Sequence, residues 1–157
     1  MNDALILHLH DEAFAVRARE VREILDVVPV TRVPGAPACL DGVINVRGRI
    51  VPLADLRVLF GMPCPPADVH TRIVVVELVL DGDPVVVGIL ADAVRDVTSI
   101  PPDLVEPPPR VGMRWPVDFV SGIARHQGRF VVMPCLPRIF AAIAAGQAVN
   151  PPCALAA

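Results

Sequence analysis

The sequence predicts a mainly β fold of two small barrels packed together, and three observations carry the prediction. Short apolar runs rich in β-branched residues recur along the 157 residues, each bounded by Gly, Pro, Asp or Asn. Helical spacing is confined to brief segments. A Pro-containing stretch from Met62 to Asp68 separates two similar clusters of strands, and such a pattern of evenly spaced turns belongs to barrels.

Residues 4–10 alternate, with Leu5, Leu7 and Leu9 on one face, which is the period of a half-buried strand. After Asp11-Glu12, Ala13 to Val16 returns as a second strand, so a hairpin begins the fold. Glu20 to Leu25 mixes charged residues with apolar ones at i, i+3 and i+4, which predicts a short helix. Pro29, Pro34, Gly35 and Pro37 then hold the chain to an extended or looping path. Strands follow at about 42–47 and 49–54, hinged at Arg47-Gly48-Arg49. Pro52 cannot donate to a ladder and so predicts an edge or a bend.

Asp55 to Phe60 reads as a short helix that Gly61 ends in a left-handed conformation. Ile73 to Leu80 and Pro84 to Ala91 form a second hairpin closed by Asp81-Gly82-Asp83, apolar on both faces and therefore covered on both. Val94 to Ile100 is a further strand, and Pro101 to Pro116 an irregular loop. Val120 to His126 and Arg129 to Pro134 make the last hairpin, around Gln127-Gly128. A helix over 136–145, with Ile139, Phe140 and Ile143 at helical spacing, closes the fold, and 146–157 is expected to be a mobile tail.

Composition excludes several functions. Although 54% of residues are apolar, the longest apolar stretch, Ile73 to Ala91, is interrupted by Glu77, Asp81, Gly82, Asp83 and Pro84, so no spanning helix and no direct membrane insertion are expected. The N-terminal residues lack the basic start and unbroken apolar core of a secretory signal, which predicts a cytoplasmic protein. A net charge of −3 and few aromatic residues argue against a nucleic-acid partner, which needs a basic groove and stacking platforms. All 14 basic residues are Arg, so any basic contact is planar and capable of bidentate pairing.

No catalytic residue is predicted. The chain has no G-x-S-x-G elbow, phosphate-binding G-x-x-x-x-G-K-[ST] loop or H-E-x-x-H helix, and Ser99 and Ser121 are the only serines. His8 and His10 share a strand face beside Asp11 and Glu12, but a zinc site needs three or four ligands, so a solvated strand face is the preferred reading and no metal or cofactor is expected. Cys39, Cys64, Cys135 and Cys153 are widely spaced, form no C-x-x-C pair and read as reduced thiols.

The segment from Leu40 to Arg57, with Val43-Ile44-Asn45-Val46-Arg47-Gly48 at its centre, resembles the V-I-N-x-R-G signature of the CheW family. These are the coupling proteins that join chemoreceptors to a histidine kinase in bacterial chemotaxis. Val85 to Val97 resembles a second family segment, V-V-G-I-x-V-D-x-V-x-x-V, and the likeness extends from about Leu5 to Ile143. Phe14-Ala15-Val16 departs modestly from the aromatic-Gly-Ile usual in the family, and the loop from Pro101 to Pro116 is richer in Pro.

The resemblance implies a non-enzymatic adaptor over 4–145, two five-stranded SH3/OB-like barrels around a shared apolar joint. The division is expected at 10–66 and 67–135, with 136–145 as closing helix. It implies partners at the cytoplasmic tip of chemoreceptors, met by Val21, Glu23, Gly42 and Arg47, and at a histidine kinase regulatory domain, met by Arg72, Asp92 and Val97. It implies recruitment to membrane-associated receptor arrays as a standalone coupling protein. Solvation of a hairpin tip is the competing account of Arg47, and plain core that of Val86, Ile89 and Val94. A CheW-like paralogue serving another chemosensory kinase and, from a different class, a barrel-type nucleic-acid-binding module are the alternatives.

Overall fold

The computed structural model describes residues 3–109, 111 and 116–145; the expected tail at 146–157, Cys153 and part of the Pro-rich loop lie outside the described residues. Eleven strands and two short α-helices are present among them: β1 Asp3–Leu9, β2 Glu12–Arg17, β3 Val21–Asp26, β4 Leu40–Val46, β5 Arg49–Ala54, α1 Leu56–Leu59, β6 Arg72–Leu80, β7 Asp83–Ala91, β8 Ala93–Ser99, β9 Val105–Glu106, β10 Val120–His126, β11 Arg129–Pro134 and α2 Leu136–Ala144.

Four hairpins begin from the same local cause. His10, Arg47, Asp81 and Gln127 have positive φ, and each is the first residue of a two-residue loop between paired strands. Gly48, Gly82 and Gly128 supply the second positive φ, the geometry whose twist matches that of the flanking strands.

The strands form a six-stranded sheet in the order β8-β1-β2-β11-β10-β9 and a five-stranded sheet in the order β3-β6-β7-β5-β4. Each sheet rolls into a barrel. The chain leaving β3 pairs Thr31 with Val43 on β4, joining the two edges of the five-stranded sheet. In the other sheet the edges β8 and β9 are consecutive in the chain, separated by a single 3-10 turn at Pro102–Leu104.

Three apolar clusters match this arrangement. Ala4, Ile6, Ala15, Ala124, Val131 and Met133 fill the six-stranded barrel, and Ile44, Val46, Val51, Leu53, Ile73 and Val75 fill the five-stranded one. The largest cluster joins the two. It takes Leu5, Leu7, Leu9 and Phe14 from one barrel, Val74, Val76, Val87 and Ile89 from the other, and Leu59, Ile139 and Phe140 from the helices. At its centre the Phe14 and Phe60 rings stack with centroids 5.6 Å apart, a contact worth about 0.5–1.5 kcal/mol beyond the area it buries.

Four expectations need correction. The barrels do not divide as 10–66 and 67–135. β1 and β2 belong with β8 to β11, and β6 and β7 lie at the centre of the sheet that also holds β3 to β5. The chain starts one barrel, leaves to complete the other and returns, and the pairings that decide this, β2 with β11 and β5 with β7, are parallel and distant in sequence. The helix expected at 20–25 is instead a 3-10 turn at Ala18–Glu20 followed by β3. There Val21, Glu23 and Leu25 are half-buried and Arg22, Ile24 and Asp26 exposed, so the period of two prevails over the i, i+4 spacing.

The stretch expected as an irregular loop contains the 3-10 turn and β9, which pairs with β10. Pro52 lies on an inner strand, and the β5 pairing to β7 covers Leu53 and Ala54, so its missing N–H falls just outside that ladder. The short helix at 56–59 is present, with Gly61 at positive φ beyond it.

Candidate interaction surfaces

Arg47 owes its position to the hairpin. The Asn45 side chain accepts from the Gly48 N–H at 2.8 Å and fixes the turn from within. The left-handed backbone at Arg47, φ 51°, then projects a side chain that is 81% exposed. Its guanidinium Nε donates to both Glu23 carboxylate oxygens, at 3.2 and 3.3 Å. Glu23 is only 24% exposed and stands opposite Val75, on the side of β3 that faces the barrel interior. The pair therefore crosses the seam between the edge strands β3 and β4.

Gly42 sits on the same seam. Its φ of +149° is a glycine conformation, and a Cβ there would lie 2.7 Å from the carbonyl carbon of Thr31, the residue that bridges to Val43. Val21 is half-buried, pairs with Val76 and packs on the joint core, so its side chain is mostly committed to the joint. Exposed apolar groups flank the pair: Ile50, 79% exposed, stands opposite Asn45, and Ile24 follows Glu23. The structure thus brings Glu23 and Arg47 into contact and places Gly42 on the strand leading to them.

Arg72, Asp92 and Val97 do not form one patch. Arg72 Nη1 donates to the carbonyls of Val69 and Thr71 at 2.9 and 2.8 Å, and its Nε lies 3.5 Å from Asp26. Val97 is exposed on β8 in the other sheet, opposite Leu5. Of the residues read as plain core, Ile89 is buried, and Val86 and Val94 are partly buried against the apolar clusters.

Asp92 belongs to a network that spacing alone did not reveal. Its Oδ1 accepts from Arg57 Nη1 and its Oδ2 from the His10 backbone N–H, both at 2.6 Å. Arg57, with a side chain 5% exposed, also donates from Nε and Nη2 to the two oxygens of Asp55 at 2.9 Å. Asp55 in turn caps α1 through the Arg57 N–H. The Asp55 hydrogen bond, outweighing burial, drives the Arg57 pKa further above its already high value. The network ties α1 of one barrel to the first hairpin of the other. A charged residue inside the apolar run Leu56-Arg57-Val58-Leu59 was its one trace in the sequence.

The remaining candidates are simply placed. His8 lies on β1 and His10 in the turn after it. Among the described residues no three His, Cys, Asp or Glu side chains gather as a metal site would require. Cys39 is buried, and burial raises its thiol pKa; Cys64 is exposed and Cys135 half-buried. No helix among the described residues is long and apolar enough to cross a membrane.

Comparison with known proteins agrees with this architecture. The model of the CheW-like domain matches residues 3–144. The chain is 33% identical over 138 residues to the probable chemotaxis protein CheW of Rhizobium etli, covering 88% of this chain and 86% of that one. It is 33% identical to the chemotaxis protein CheW of Klebsiella aerogenes, over 82% and 75% of the two chains. The crystal structure of the scaffolding protein TtCheW from Thermoanaerobacter tengcongensis superposes with a TM-score of 0.80 at 30% identity, over 88% of this chain and 87% of that one. With both barrels, their joint and the seam included in these matches, the chain belongs to the CheW-like family.

Proposed function

We propose that this chain is a non-enzymatic coupling protein of bacterial chemotaxis, with the five-stranded barrel meeting the cytoplasmic tip of a chemoreceptor and the six-stranded barrel meeting the regulatory domain of a histidine kinase. The observation that carries the reading is the Glu23–Arg47 pair on the barrel seam. A fixed turn presents one exposed guanidinium beside exposed Ile50 and Ile24, which gives an apolar contact with a charge to set its orientation. Family membership supports the role, because relatives are named chemotaxis proteins and a structural neighbour a scaffolding protein. Phosphoryl transfer would belong to the kinase, and this chain would contribute geometry.

On this reading the kinase contacts exposed Val97 on the edge strand β8, with Asp92 at the junction between the barrels and Arg72, held by the Val69 and Thr71 carbonyls, as further contacts. Localisation would follow from recruitment to receptor arrays, because the chain would reach the membrane through its partners.

The test is a calorimetric titration of the folded chain with the C-terminal regulatory domain of a histidine kinase from the same cell. Saturable one-to-one binding, weakened by Val97→Asp, supports the kinase arm. A folded chain that binds no such domain removes it.

A further inference from the structure

The mouth of the six-stranded barrel gathers cationic side chains that the coupling role does not use. His8, near the end of β1, stands opposite Ala93 on β8 and Ala13 on β2, and Ala13 stands opposite Val131 on β11. His126 and Arg129 are paired at the tip of the β10–β11 hairpin, on the same rim. The short side chain of Ala13 leaves a concavity of about 290 Å³ over Ile6 and Val131, walled by His8, Arg95, His126 and Arg129.

Arg95 comes from one side of β1 and β2 and Arg129 from the other. Both act on His8, adding to burial in holding its pKa below the ordinary value, which places the three groups within electrostatic reach of one another. Neither arginine side chain forms an ion pair or hydrogen bond with a described residue, whereas those of Arg22, Arg47, Arg57, Arg72 and Arg138 all have carboxylate partners. Asp96 is the one carboxylate among the described residues lining the inner concavity. The larger adjoining groove shares His8, Arg95 and Arg129 with it and adds His10 and the carboxylates Asp11, Glu12, Asp92 and Glu106, so these four carboxylates lie outside the inner concavity.

We propose that this concavity binds a small oxyanion of the phosphate class, with the Arg95 and Arg129 guanidinium groups gripping it from opposite sides and His8 between them. Planar guanidinium groups pair with phosphate oxygens through parallel hydrogen bonds, a geometry that two converging arginines offer twice. Size limits the ligand. The volume of about 290 Å³ lies at the lower end of the roughly 300–1,000 Å³ typical of small-molecule pockets. The carboxylates of the outer groove repel anything anionic that extends into it, and among the described residues lining the inner concavity there is no Phe or Trp to offer a nucleobase a stacking surface.

The test is an NMR titration of the full chain with inorganic phosphate at constant ionic strength, chloride being the reference salt and the His8 imidazole the reporter. Saturable binding that moves the His8 titration midpoint upward is expected, because a bound dianion offsets the two arginines. Arg95→Gln with Arg129→Gln should weaken it at least about tenfold, and circular dichroism should show the fold intact, since both side chains are exposed. A parallel titration with O-phosphoserine separates the sources: tighter binding assigns the site to a phosphomonoester, equal or weaker binding to free phosphate. A response no larger than that to chloride, or one that persists in the double variant, overturns the proposal.

Discussion

Arg47 and Glu23 meet across the seam of the five-stranded barrel, the guanidinium Nε 3.2 Å from one carboxylate oxygen and 3.3 Å from the other. Because Arg47 is 81% exposed, the pair is screened by solvent and contributes little to stability, on the order of 0–1 kcal/mol. On the proposed receptor reading, its value lies in aiming a charge.

Arg47→Asp should therefore leave circular dichroism and the urea midpoint nearly unchanged while weakening retention on chemoreceptor arrays in a pull-down. Retention equal to the parent chain would remove Arg47 from the receptor surface. A loss of fold would show that the seam depends on the pair.

Gly42→Ala tests the same seam through the backbone. The new Cβ meets the Thr31 carbonyl at a φ that L-residues rarely adopt, so the variant should lose about 2–4 kcal/mol, combining backbone strain with displacement of the Thr31–Val43 bridge. Urea denaturation measures this directly, with an unchanged slope locating the effect in the folded state. A loss below about 0.5 kcal/mol, the scale of an ordinary surface change, would mean that the strap at Thr31 moves aside freely.

The hairpins were legible because their signals are local. Arg47-Gly48, Asp81-Gly82 and Gln127-Gly128 each put a turn between apolar runs, and each is a two-residue loop in the structure. The division into barrels was not legible, since it depends on parallel pairing of Phe14 with Val132 and of Leu53 with Gly88, which no local pattern announces. Val21 to Asp26 misled for a different reason. Adjacent Ile24 and Leu25 each meet an apolar cross-strand partner, Val74 and Ile73, so an apolar pair in one strand imitates the helical spacing. Arg47 was named through the family signature and Glu23 through the wider family resemblance, and their contact came only with the fold. The partners of Arg57 lie two and 35 positions away, and only the fold joins them.

Arg57→Met should be strongly destabilising. The substitution keeps much of the side-chain volume but leaves Asp55 buried without its partner, and breaking a buried ion pair from one side costs about 3–5 kcal/mol. Chemical denaturation checks the value. A loss below about 1 kcal/mol would mean that water replaces the guanidinium at the junction.

Asp92→Asn separates a structural role from a docking one. The amide offers one acceptor oxygen where the carboxylate serves both Arg57 and the His10 N–H, so stability should fall by about 1–3 kcal/mol. If Asp92 acts only as a kinase contact, the urea midpoint stays at the parent value and only the titration with the kinase domain changes.

His8 makes stability fall on acidification. Burial first, then Arg95 and Arg129, lower its pKa in the folded chain from the ordinary 6.5. In the window below 6.5 the unfolded chain consequently binds more protons at this residue than the folded one, so stability rises with pH there. The contribution is fully present above the unfolded value and is lost as pH falls toward the folded one. Glu20 and Asp41 act in the opposite sense: burial raises both pKa values, so each favours the folded state on acidification, and the comparison with a His8 variant isolates the His8 part. Urea midpoints measured at intervals from pH 8 to about pH 5.5, a range that spans the His8 window, should decline for the parent chain and decline less for His8→Asn. Parallel curves for the two proteins would show that His8 is as easily protonated in the folded barrel as in the unfolded chain.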